Sequence, residues 1–511
     1  MHLKLACQRG FTTVTLMGVL LVGGLLVMAT FSAVNPDIGL TRGDQDSKQA
    51  YAAAESGLQW YLNALGSNNS YYTLCDAPPA PNGTENAPVN QVYPASPLKT
   101  FKWRNLPGEQ AKYAIELIPA EGRPACTSDQ YSMVDRYGNM RLRISGRSRG
   151  KTRTINATLR RLNFLDFIYF TNFETLDPVA TSDPTTAGTV CARFRAQRPG
   201  APCVEIQFAD ADAILGPMHT NDNILVCGSP QLGRNAADRI ELNGSTPVVS
   251  AGCGTSAPDY QGTLIHPAGQ LELPPSNGAI QALALTGYVF NGRTEIQLNG
   301  NTMSVKNVAR WPDNLFHSVA LPSNGVVYVA NNGACTAGFD RTQDYTGEQA
   351  ACGNAWVKGT YSQDLTIASA NDVVINGDLE RTADELLLGL VANNFVRVYH
   401  PVNWSFGNCG GNTASALANP VIQAAILALN HSFIVDNWDC GARLGDLNVQ
   451  GAIAQKFRGP VGTSGGTGYL KKYEYNDRLR FREPPYFLDP VQASWRIARQ
   501  TESLPSRKAL P

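Results

Sequence analysis

Charge is what this sequence has little of. Lys, Arg, Asp and Glu make up 16% of it, against about 25% in an average soluble domain, and the 42 basic and 42 acidic residues cancel. Such a chain has no global field to draw it onto nucleic acid or an anionic membrane, so partners of that kind must be met through a local patch. Histidine is scarce too. His2, His219, His266, His317, His400 and His431 lie far apart and give no two-His metal spacing. No Cys-x-x-Cys pair occurs, which argues against a zinc site. No charged residue falls between Phe11 and Pro36, and no Asp or Glu between Arg141 and Arg161.

Gly (47 residues) and Pro (31 residues) are plentiful, which with the low charge suits a turn-rich, mainly β extracellular body. At 511 residues the length corresponds to about three domains. Of the eleven cysteines, Cys7 sits in a short N-terminal leader. The other ten are Cys75, Cys126, Cys191, Cys203, Cys227, Cys253, Cys335, Cys352, Cys409 and Cys440, an even set that fits disulfides made in an oxidising compartment. Nearest-neighbour pairing would join Cys75–Cys126, Cys191–Cys203, Cys227–Cys253, Cys335–Cys352 and Cys409–Cys440, although spacing does not choose among the connectivities. Each bridge would stabilise the fold by about 2–4 kcal/mol.

The N-terminus is the most specific segment. Residues 1–10 are polar and basic, with Lys4 and Arg9, and end at Gly10. The apolar run Phe11–Val34 would rise roughly 36 Å as a helix, enough to cross a bilayer with some tilt. A secretory signal would need a shorter core followed by a small-residue cleavage site. Asn35-Pro36 should bend or interrupt the helix. Beyond it, Tyr51, Ala54, Leu58, Tyr61, Leu62 and Leu65 recur at helical spacing, and Gly66 is placed to end the element.

Gln8-Arg9-Gly10-Phe11-Thr12-Thr13-Val14-Thr15-Leu16 resembles the processing junction of the type IV pilin and pseudopilin superfamily, and Ala52–Leu58 resembles the Ala-rich helix of minor pilins. The resemblance implies that a prepilin peptidase cuts after Gly10 and that Phe11 becomes the methylated N-terminus. Thr15 stands where most members carry Glu, which in the family points to a minor or tip subunit. It also implies an inner-membrane stage, single-pass with the C-terminus outside, then an extracellular filament held by other pilins through the N-terminal helix.

The expected fold class is an α+β pilin-like N-terminal part followed by a mainly-β domain of β-solenoid (β-helix) type. Residues 1–10 form the leader, 11–66 the long helix with its transmembrane segment at 11–34, and 67–165 the pilin-like body. Strands are expected at Lys112–Ile118, Met140–Ser145 and Thr152–Leu162, the last two as a hairpin around Gly146–Lys151. Residues 166–490 form the β domain, with short strands ended by turns such as Asn332-Gly333 and Asn376-Gly377, although a sandwich also fits. A helix is expected near 420–430, capped at Asn419-Pro420, with Val421, Ile422, Ala425, Ile426 and Leu429 on its apolar face. A tail takes 491–511.

One charge patch stands out. Arg141, Arg143, Arg147, Arg149, Lys151 and Arg153, with Arg160 and Arg161 behind them, suggest either an anion or DNA contact or a plain solvated sheet face. Gly462-Thr463-Ser464-Gly465-Gly466 has the letters of a nucleophile elbow without the strand and helix around it. Glu205, Asp210 and Asp212, and the pair Asp436 and Asp439, lack the sharp Gly turn of a calcium loop. These residues predict no catalytic group, metal or cofactor. The expected role is that of a minor, tip-type filament subunit presenting a large domain for priming, adhesion or ligand contact. A surface enzyme acting on polysaccharide, or a DNA-uptake subunit, is the alternative.

Overall fold

The computed structural model describes residues 12–74, 90–92, 103–121, 132–244, 248–250, 252–336, 339–345, 349–405, 408–491 and 494–503. It divides into two compact units. The first combines Met1–Met133, Arg141–Leu159 and Arg499–Pro511; the second combines Val134–Met140 and Arg160–Ala498.

In the first unit, helix α1 (Thr12–Ser67) packs its C-terminal part on a sheet. Ala50, Ala53, Ala54, Leu58, Tyr61 and Leu65 are buried, the i, i+3, i+4 stripe of a helix that covers one face. Tyr51 and Leu62 lie at the stripe's edge. The strands Ala111–Ile118, Asn139–Ser148 and Lys151–Arg161 follow one another antiparallel, with Ile115 opposite Ile144. The hairpin turn is Arg149-Gly150, with φ of 40° and 88°. Gly146 is therefore mid-strand: a Cβ there would lie 1.9 Å from the Ala50 carbonyl oxygen. The strand Trp495–Ser503 closes the sheet beside Lys151–Arg161, so part of the expected C-terminal tail is sheet.

The second unit is built on a 22-stranded sheet whose neighbours are mostly parallel. Val326–Ala330, Leu365–Ser369, Leu388–Ala392, Ala425–Ala428, Asp446–Arg458 and Tyr169–Leu176 pair side by side in that order. Val327, Ile367, Leu390, Ile426 and Ile453 come into register and stack, all essentially inaccessible to water. Strands covered on both faces read as unbroken apolar runs, as parallel sheets require. The outer cover includes Pro485, whose carbonyl accepts from Thr366 Oγ1, and Asn277, whose amide donates to the carbonyls of Ser369 and Val391. Spatial order departs from chain order. From Tyr169–Leu176 the ladder runs outward through Met218–Thr220, Arg239–Leu242 and Thr263–Ile265. It restarts at Val289–Asn291 beside Val326–Ala330 and returns until Asp446–Arg458 meets Tyr169–Leu176.

Three expectations are corrected here. The fold class is mostly β, 40% strand and 16% helix, with a large curled, half-barrel sheet in place of an α+β pilin-like part followed by a β-solenoid. The helix expected near 420–430 is the strand pair Val421–Ile422 and Ala425–Ala428, because that run is buried on both faces between neighbouring strands. Single-pass placement in the inner membrane is also overturned: among the described residues no helix is long and apolar enough to cross a membrane. Within the expected 11–34 segment, side chains are described only over 15–28, which rises roughly 21 Å against a hydrocarbon core of about 30 Å.

The second unit also buries ionisable groups. Glu483 accepts a hydrogen bond from Asn163 Nδ2 at 2.6 Å and lies 3.5 Å from Arg160 Nη2. Burial, reinforced by Asp489 and opposed by Arg160, holds its carboxyl well above the ordinary value of 4.5. A carboxyl raised on folding keeps a proton the unfolded chain has released, so stability falls as pH rises from about 4.5 toward the folded value. The Glu483→Gln variant should gain stability over the parent as pH rises from 5 to 8 in urea titrations. A difference independent of pH would show Glu483 already ionised at pH 5.

Candidate functional site

A concavity of the second unit lies where strand ends meet a disulfide-closed stretch of chain. Ala355, Val373, Val396 and Phe433 come into register on parallel strands, which stacks the residues just before each of them. Asn394 Nδ2 donates to Asn371 Oδ1, and Asn371 Nδ2 donates to Asn354 Oδ1 at 2.5 Å. This amide ladder satisfies buried polar groups along the stack while keeping the strand ends aligned. Beside it, the Phe395 ring contacts two others. Phe339 is 4.4 Å away by ring centroid, and His431 is 4.5 Å away and stacked nearly parallel, at 10°.

The facing wall is made by residues 339–345, which belong to the stretch closed by the Cys335–Cys352 disulfide. Gln343 N donates to Asn437 Oδ1 at 2.9 Å, and Asn437 Nδ2 donates back to the Gln343 carbonyl at 2.9 Å. Arg341 pairs with Asp439 at 2.5 Å, and the Tyr345 hydroxyl donates to Asp436 Oδ2 at 2.9 Å. Between loop and strands is a cavity of about 420 Å³, in the size range of small-molecule sites.

Its floor is electrostatically set. Arg397 is buried and grips Asp436 with two nitrogens, Nε at 2.8 Å and Nη2 at 3.1 Å, while Nη1 reaches Asp372 at 3.2 Å. Burial works against its charge, but Asp436 and then Asp372 outweigh that and raise its pKa. Burial pushes the Asp372 carboxyl up, with Arg397 opposing. Burial, followed by Asp436, drives the Tyr345 hydroxyl far up, so it stays protonated and donating. His431 Nδ1 lies 3.0 Å from the buried Asp177 carboxylate.

The residues singled out in the sequence fall elsewhere. Gly10, Phe11, Cys75 and Cys126 lie outside the described residues. The remaining cysteines form Cys191–Cys203, Cys227–Cys253, Cys335–Cys352 and Cys409–Cys440. In the first unit the arginine patch is shared among partners: Arg143 lies 3.9 Å from Glu116, Arg153 2.5 Å from Glu502, and Arg149 donates to Gln110. Arg141 donates to the Pro119 carbonyl, Arg147 is half-buried, and Lys151 is exposed. In the second unit Arg160 and Arg161 face Glu483 and Asp489. Asp212 pairs with Lys471, Glu205 with Arg195 and Arg198, and Asp210 accepts from the Ser229 amide. Gly462–Thr463 and Thr467–Gly468 form a short antiparallel hairpin.

Sequence reasoning missed the cavity. Its only trace is an Asn placed one to three residues before an apolar run at 371, 394 and 430. The loop that completes it comes from another stretch of chain.

No family model matches this sequence, and no curated protein matches it either. Among solved structures it is similar to the competence-associated pilin ComZ from Thermus thermophilus, at 14% identity over 90% of this chain and 97% of that one, with a TM-score of 0.26. At that score nothing about function passes from one chain to the other.

Proposed function

We propose that this chain is a minor subunit of a type IV pilus or a related secretion filament, and that it assembles through its N-terminal helix with other pilins and presents its second unit for ligand contact. The observation that carries this is the state of α1 over residues 15–28. Leu16, Met17, Val19, Leu20, Leu21, Leu25, Leu26 and Met28 are exposed around the whole circumference, Met17 to 73%. An apolar cylinder of this kind needs apolar partners, and other helices of the same kind supply them in a filament core. The junction Gly10-Phe11 supports processing by a prepilin peptidase, and Thr15 supports a rare position over a repeating one. Four disulfides among the described residues support folding outside the reducing cytosol.

Mass spectrometry of the mature N-terminus, on protein from sheared filaments, tests the reading. The expected species begins at methylated Phe11. A start near Ser32–Asn35, or an uncut Met1, removes the filament reading.

A further inference from the structure

We propose that the cavity between the Cys335–Cys352 loop and the stacked strand ends binds a saccharide ring that is uncharged or carries an amino group. The inference stands whether or not the chain enters a filament.

The polar atoms offered by the lining are mostly acceptors. Asn394 uses its Nδ2 on Asn371, Gln343 its Nε2 on the Asp340 carbonyl, and Asp340 its Oδ1 on Thr342. Left over are Asn394 Oδ1, Gln343 Oε1 and Asp340 Oδ2, for which no bond to another described residue is seen, and the second N–H of each of the two amides. His431 gives its Nδ1 hydrogen to Asp177, so its Nε2 is a further acceptor in the neutral ring. Acceptors outnumber donors in this set, and a polyol, whose hydroxyls donate as well as accept, satisfies both.

Charge excludes the opposite class. Asp340 and Asp372 line the cavity, and the one guanidinium among the described residues of its lining, that of Arg397, is already held by Asp436 and Asp372. A phosphate, sulfate or uronate would meet carboxylates and acceptors, with the Arg397 guanidinium already taken. Hydroxyls or an ammonium would meet partners.

The rings supply the remaining element. Phe339 is half-buried on the loop and Tyr345 faces the same space, so an apolar ring face adjoins the acceptors. A pyranose combines a C–H face that lies on an aromatic ring with equatorial hydroxyls that donate at its rim. The cavity, at about 420 Å³, has room for one or two such rings.

The test uses the full chain with disulfides intact. Cellotriose, a β-1,4-linked glucosamine trimer and trigalacturonate are titrated by saturation-transfer NMR and calorimetry. Cellotriose or the glucosamine trimer should bind while trigalacturonate does not, and Phe339→Leu, which keeps apolar bulk against Phe395 but loses the ring face, should weaken binding about tenfold. Failure of both cellotriose and the glucosamine trimer overturns the proposal on the parent protein alone, as does preferential binding of trigalacturonate. Unchanged binding by a Phe339→Leu protein with parental melting also overturns it. Loss of the filament reading with binding intact leaves it standing.

Discussion

Replacing Arg458 by Met should cost the second unit about 3–5 kcal/mol, measured by urea denaturation. Its side chain is 1% exposed and its partner Glu174 is fully buried. Arg458 Nη1 donates to Glu174 Oε2 at 3.1 Å and to the Ile206 carbonyl at 3.0 Å, Nη2 donates to the Gln207 carbonyl at 3.0 Å, and the guanidinium lies 3.5 Å over the Phe208 ring. Burial raises the Glu174 carboxyl and Arg458 is the main force pulling it down. Removing the cation strands a carboxylate that burial alone would not tolerate. The double variant Arg458→Met, Glu174→Gln should recover most of the loss, since a neutral amide can still bond to Tyr169 and Thr171. A single-variant loss under about 1 kcal/mol, or a double variant no better than the single, would contradict this account. The pair also ties Asp446–Arg458 to Tyr169–Leu176, where the returning ladder meets its start.

Gly146→Val should destabilise the first unit by about 3 kcal/mol or more, the upper end for overpacking, because the obstruction is backbone. A Cβ at Gly146 would sit 1.9 Å from Ala50 O and 2.5 Å from Ala54 N, and neither can swing aside as a side chain could. Gly57 on α1 meets Tyr113 and Ile144 in the same layer, at 2.7 Å and 3.0 Å. Hydrogen exchange should lose protection across 42–67 in the variant. Gly66→Ala, where nothing lies within 4 Å, is the control and should be neutral or mildly stabilising. Retained protection in Gly146→Val would mean that the helix does not approach the sheet so closely.

Gly146 also illustrates how far local reading reaches. In sequence, a Gly followed shortly by Arg149-Gly150-Lys151 looks like turn punctuation, and the hairpin around it was legible. That this Gly serves close approach to α1 depends on a helix nearly a hundred positions away. The run 421–429 shows the same limit. Val421, Ile422, Ala425, Ile426 and Leu429 fit a helical stripe, yet Ala425–Ala428 is a strand buried on both faces. Periodicity cannot separate a short buried strand from a buried helix when neighbours cover every side.

Some features were decided by the sequence itself. The helix stripe from Ala50 to Leu65, the hairpin strands and the even set of cysteines outside Cys7 follow from residue spacing and composition. These are local properties, carried by neighbours three or four positions apart or by side-chain chemistry alone. Only the tertiary structure decided the large curled sheet, the spatial order that sets Asp446–Arg458 beside Tyr169–Leu176, and the pairing of Trp495–Ser503 with Lys151–Arg161. It also decided that Arg143 and Arg153 face Glu116 and Glu502, and that Phe339, Asn394 and His431 share one cavity. Parallel strands and ion pairs join residues tens to hundreds of positions apart, and what brings them together is the burial of the whole sheet.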